Sequence, residues 1–82
     1  MSDKRLAVIS VIAENREKSG EINSLLSAYG DYVVGRMGIP YREKGVYVLS
    51  VVVDAPAEII NTLTGKIGML ERVTAKTLMS KI

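Results

Sequence analysis

From Leu6 to Ala13 the chain is apolar at every position except Ser10, rich in β-branched residues and bounded by charge on both sides. That pattern predicts a strand covered on both of its faces. Further on, Ile22, Leu25, Leu26 and Tyr29 fall at i, i+3, i+4 and i+7, the apolar stripe of a helix of about three turns. Asn15 is placed to cap its start, and Gly30 to end it in a left-handed conformation. Residues 32–37 predict a second strand and residues 46–53 a third, joined by a polar connection over residues 38–45 that contains Gly38, Pro40 and Gly45. Asp54 then caps a second helix with Pro56 in its first turn, Ile59, Ile60, Leu63 and Ile67 supply its apolar stripe, and Gly68 ends it. Residues 72–80 close the chain as a fourth strand.

Strand, helix, strand, strand, helix, strand within 82 residues is the order of the α+β ferredoxin-like βαββαβ sandwich: a four-stranded antiparallel sheet with both helices on one face. Residues 1–82 are expected to form a single domain of this kind. Right-handed crossovers put the first and third strands in the middle of the sheet. The two helices cover one face only. Yet both alternating sets of the first strand are apolar, Leu6, Val8 and Ile12 against Ala7, Ile9, Val11 and Ala13, and the third strand repeats this from Val46 to Val53. The uncovered set forms an apolar patch larger than a monomer usually exposes, so a homo-oligomer joined through the open sheet face is expected.

Composition narrows the chemistry by exclusion. The chain holds no Cys and no His, which removes disulfides, thiolate or imidazole metal sites, Cys nucleophiles and His-based triads. No metal site and no cofactor are expected, and the absence of cysteine fits the cytoplasm. With no Phe or Trp and a net charge of +2, the chain offers neither stacking surface nor a strong field for nucleic acid. No stretch approaches the ~20 apolar residues of a membrane span. The run after Lys4-Arg5 is also too close to the N-terminus for an ordinary signal peptide.

Several short motifs invite a functional assignment. Lys44-Gly45-Val46-Tyr47-Val48 begins like an RNA-recognition signature, but valines stand where bases would stack. Gly65-Lys66 lacks the upstream glycine and the following Ser or Thr of a phosphate loop; Gly65 instead suits close approach of the helix to a neighbour. Acylphosphatases of this architecture use an Arg near the first loop together with an Asn; Asn15 and Arg16 lie in that loop here, without the glycine-rich phosphate cradle. A small acylphosphatase-like hydrolase is therefore the enzymatic alternative, and a ligand-free oligomerising scaffold the structural one. The least generic segment is Gly35-Arg36-Met37-Gly38-Ile39-Pro40-Tyr41-Arg42. Its two guanidinium groups could fork onto a carboxylate or phosphate, or pair with carboxylates across an oligomer interface.

Glu14-Asn-Arg-Glu-Lys18, the segment from Gly35 to Arg42, Leu63-Thr-Gly-Lys-Ile-Gly68 and Val73-x-x-Lys76 together resemble the iron-only hydrogenase system regulators, a family of small ACT-like proteins. The resemblance runs over essentially the whole chain. It implies a non-catalytic regulatory module, transcription-associated but without its own DNA-binding domain, that senses a small anionic or amino-acid ligand or signals to a protein partner. The family is similar in fold to the sensing domain of the nickel-responsive repressor. The His and Cys ligands of that domain are missing here, and no ribbon-helix-helix segment precedes the first strand. Nickel sensing by that route and direct nucleic-acid binding are accordingly not expected, nor is membrane association. The expected ligand site lies at the oligomer interface, with Arg36, Gly38, Pro40, Tyr41 and Arg42 of one copy facing the Glu14 to Gly20 loop, which carries Asn15 and Arg16, or a neighbouring strand of another.

Overall fold

The computed structural model describes residues 3–14 and 16–81, with Arg16 described by its backbone alone. Strand β1 is Lys4–Ala13, α1 is Ser19–Ala28, β2 is Val33–Tyr41, β3 is Val46–Pro56, α2 is Ala57–Gly68 and β4 is Val73–Met79. All pairings are antiparallel and the strand order is β2-β3-β1-β4, the α+β ferredoxin-like arrangement with β1 and β3 central. The odd-numbered residues of the central strands make the core. Ile9, Val11, Leu49 and Val51 are closed off by Ile22 and Leu26 of α1 and by Ile60, Leu63 and Ile67 of α2. Each helix presents residues three and four apart to one side, so both apolar stripes land on the same sheet face.

Several boundaries differ from the sequence expectation. Strand β2 does not stop at Met37 but runs to Tyr41, which leaves only a 3₁₀ turn, Arg42–Lys44, and Gly45 as the connection to β3. Proline is tolerated at position 40 because β2 is an edge strand, where a missing N–H need not break a ladder on both sides. Gly45 makes the turn possible with a φ of 66°, the left-handed region that glycine enters freely. Asp54 does not cap α2. It lies within β3 opposite Leu6, and Pro56 occupies the N-cap position. Gly30 does not form a left-handed cap; Tyr29 is the C-cap of α1, and a second 3₁₀ turn begins at Gly30.

The expected cap Asn15 lies outside the described residues. A 3₁₀ turn, Arg16–Lys18, leads into α1, with Lys18 at the N-cap position and no side-chain cap. α2 ends at Gly68 as expected, but the left-handed residue that redirects the chain into β4 is Arg72, at φ 62°. A side chain at Gly65 would meet nothing within 4 Å, so no close helix approach depends on it. Among the described residues no helix is long and apolar enough to cross a membrane.

Candidate functional site

The helix-side face of the sheet is sealed, and among the described residues no polar or charged side chain is buried there. Function therefore has to be sought on the outside. The segment singled out in the sequence proves to be mostly regular strand, and strand geometry divides it between two faces. Arg36 pairs with Val51, Gly38 with Leu49 and Pro40 with Tyr47, so these three share the helix side, whereas Met37, Ile39 and Tyr41 share the open side with Ser50, Val48 and Val46.

Arg36 is not a free cation. Its Nη2 donates to Asn23 Oδ1 on α1 at 2.9 Å, which ties the edge strand to the helix layer. Gly38 is overlain by the ring of Tyr47 from the neighbouring strand, with Cζ and Cε1 3.0 and 3.1 Å from where a side chain would begin. Tyr41 donates its hydroxyl to Glu43 Oε2 at 3.0 Å across the turn that carries Arg42. Six residues of strand separate Arg36 from Arg42, roughly 20 Å at ~3.3 Å per residue. The structure thus brings Tyr41 and Arg42 together and holds Arg36 away from them. Asn15 lies outside the described residues, and Arg16 is placed only as backbone in the 3₁₀ turn before α1.

The open face is the larger feature. The strand registers line up its side chains in ranks that cross the sheet in the order β2, β3, β1, β4. The middle rank is Met37, Ser50, Ser10 and Lys76. Gly35, Val52, Val8 and Leu78 form the rank on one side of it. Ile39, Val48, Ile12 and Thr74 form the rank on the other. The exposed apolar groups are large: Leu78 is 75% exposed, Met37 62%, Ile12 49% and Ile39 48%. Four strands at ~4.8 Å spacing and ~28 Å of length give the face a projected area of roughly 500 Å², within the range where such patches become interaction sites.

At the corner where β1 begins and β4 ends, Leu6, Ala7, Val8, Leu78, Met79 and Ser80 line a shallow groove of about 270 Å³. It carries no charged group that could orient a small anion. Sequence reasoning found the alternation that makes this face apolar. It missed Met37, Gly35, Lys76 and Leu78 as members, because membership on the edge strands depends on register.

At the far edge of the helix layer, Lys66 Nζ donates to the Tyr29 hydroxyl at 2.9 Å and joins the end of α2 to the end of α1. The Thr64 hydroxyl donates to the Ile60 carbonyl at 2.7 Å, so in its contact with the Thr77 hydroxyl at 2.5 Å the proton comes from Thr77. Among the described residues no three carboxylates gather as a metal site would require.

Comparison with known proteins follows the same outline. No curated protein matches the chain. A solved structure, that of the uncharacterized protein TM1266 from Thermotoga maritima, superposes with a TM-score of 0.90 at 30% sequence identity, covering 96% of this chain and all of that one. The family model of TM1266-like proteins, described as iron-only hydrogenase system regulators, matches residues 5–77. On that match and that likeness, the chain belongs to the TM1266-like family of iron-only hydrogenase system regulators.

Proposed function

We propose that this protein is a non-catalytic regulator of the iron-only hydrogenase system that works as a homo-oligomer, its copies joined through the open face of the sheet. The observation that carries this reading is the apolar face formed by the even-numbered residues of β1 and β3 and extended by Met37, Ile39 and Leu78. Two such faces remove roughly 1,000 Å² from water even before side-chain relief is counted, which reaches the lower bound for a specific interface. The non-catalytic character is supported by chemistry: there is no His or Cys, and no polar side chain among the described residues is buried where a site could be preorganised.

The signal in this reading is a small carboxylate or amino acid, passed on to a protein partner. Arg36 and Arg42 of one copy are too far apart to fork onto one small anion. The binding arrangement therefore uses Arg42 with its neighbour Tyr41, completed by the segment between β1 and α1 or by a neighbouring strand of another copy.

Sedimentation of the purified protein at micromolar concentration tests the assembly, with a dimer or higher oligomer expected; a monodisperse monomer overturns it. A thermal-shift screen of amino acids and organic acids tests the ligand. A hit that Arg42→Met abolishes without dissociating the protein supports the site, and a hit left unchanged by Arg42→Met excludes it.

A further inference from the structure

We infer that the second copy sits on the open face about a two-fold axis that runs parallel to the strands, between β1 and β3, so that β4 of each copy covers β2 of the other and β1 covers β3. This rests on the proposed pairing through the open face and adds to it which residues meet. Two isologous arrangements keep the faces in full overlap, one with the axis along the strands and one with the axis across them. In both, the middle rank of one copy lies over the middle rank of the other. Either way Ser10 and Ser50 lie opposite serine, whereas a slip of one rank would set them against valine and isoleucine.

Charge and shape separate the two arrangements. With the axis across the strands, β4 covers β4, so Lys76 meets Lys76 of the second copy and Leu78 meets Thr74. With the axis along the strands, Lys76 lies over Met37 of the second copy at the rim, where its ammonium reaches water while its stem covers the thioether. Leu78, the most exposed member of the face, then lies over Gly35, which has no side chain and open space above it. Ile12 covers Val48, and Thr74 covers Ile39. Beyond the three ranks, Asp54 falls one rank from Lys4 of the second copy rather than over its Val46. The same axis keeps the strands of both copies pointing the same way.

Within one chain Met37 and Lys76 stand on opposite edges of the sheet, three strand spacings or ~14 Å apart, so coupling between them reports on contact between copies. Met37→Lys sets like charges against each other and is expected to weaken association at least tenfold. Met37→Glu is expected to preserve or tighten it, and Met37→Lys with Lys76→Glu to restore it. Independently, Gly35→Leu is expected to dissociate the copies and Leu78→Ala in the same chain to bring them back. Sedimentation equilibrium reads the association, and circular dichroism checks that each variant keeps its fold. If the wild type assembles but Met37→Lys and Met37→Glu affect it alike, or if neither double variant restores association, this arrangement is wrong while pairing through the face stands. A monomeric wild type overturns both.

Discussion

Val48 and Leu49 are adjacent in β3 and point to opposite sides of the sheet, so one substitution placed at each in turn separates folding from assembly. Leu49 is 1% exposed among the core residues, and Val48 is half-buried on the open face. Leu49→Asp forfeits the burial of a leucine side chain, about 1.5–3 kcal/mol. It also strands a carboxyl group in an apolar core, a further ~2 kcal/mol or more. At ~0.05–0.15 kcal/mol per residue the whole chain is stable by only about 4–12 kcal/mol, so this variant is expected to lose about a third or more of its stability and to melt well over ~10 °C below the wild type.

Val48→Asp loses only about 1 kcal/mol of strand preference within one copy, a fall in melting temperature of roughly 4–8 °C for a chain of this size. Its effect on assembly is larger. Aspartate is too short to reach water from the middle of a sheet face, and an uncompensated charge there costs about 3 kcal/mol, roughly a 150-fold loss of affinity. Circular dichroism melts and sedimentation velocity on the two variants read both quantities. A Val48→Asp protein that associates as tightly as the wild type refutes the interface assignment. A Leu49→Asp protein that melts cooperatively within a few degrees of the wild type refutes the assignment of strand faces.

Gly45→Ala, at φ 66° with nothing within 4 Å of the new methyl group, is expected to lose about 1 kcal/mol from backbone strain alone, measured by urea denaturation, with Gly45→Asn losing less. Arg72 holds the same left-handed conformation without being glycine, so Arg72→Gly is expected to gain a few tenths of a kcal/mol, roughly the strain relieved minus the entropy added to the unfolded chain. Thr64→Val leaves the Thr77 hydroxyl without its acceptor and is expected to cost about 1–2 kcal/mol in the same assay. Thr77→Val, which leaves Thr64 donating to Ile60, should cost less.

The architecture was legible because it rests on periodicity that neighbouring residues repeat. The element order with right-handed crossovers put β1 and β3 in the middle of the sheet, and the stripe of Ile60, Leu63 and Ile67 fixed the buried side of α2 whatever the exact position of its first residue. Helix ends were less legible. Asp54 has the right side chain to cap a helix, but cross-strand pairing with β1 extends β3 past it, and that ladder is a tertiary fact. Gly68 ends α2 as its position suggests, but Gly30 is not a left-handed stop, and the left-handed turn before β4 fell to Arg72, whose side chain gives no hint of it.

The candidate site suffered most from one boundary. Taken as a connection, Gly38 to Arg42 lets Arg36 and Arg42 fold toward each other; as a strand it separates them. Whether Pro40 ends a strand depends on whether that strand lies at an edge, which no local window contains. Once the registers are known, the even-numbered face can be read off directly, which is why Lys76 and Leu78 became visible only then.

The two edges of this sheet differ from its open face in one further respect. On β2 there is a bulge between Val33 and Gly35 and a residue without an amide hydrogen at Pro40, and on β4 the exposed strand carries Lys76 at its centre. Bulges, prolines and lysines at these positions are obstacles to a neighbour adding a strand. An apolar sheet of this size with unguarded edges would act as a template for indefinite growth, each new copy presenting the same edge to the next. Here elongation along the hydrogen-bonding direction is obstructed at both sides while the flat surface remains available. A flat surface that is satisfied by its own image is used up after one encounter, so the pairing proposed above would terminate in a closed particle rather than propagate into a filament.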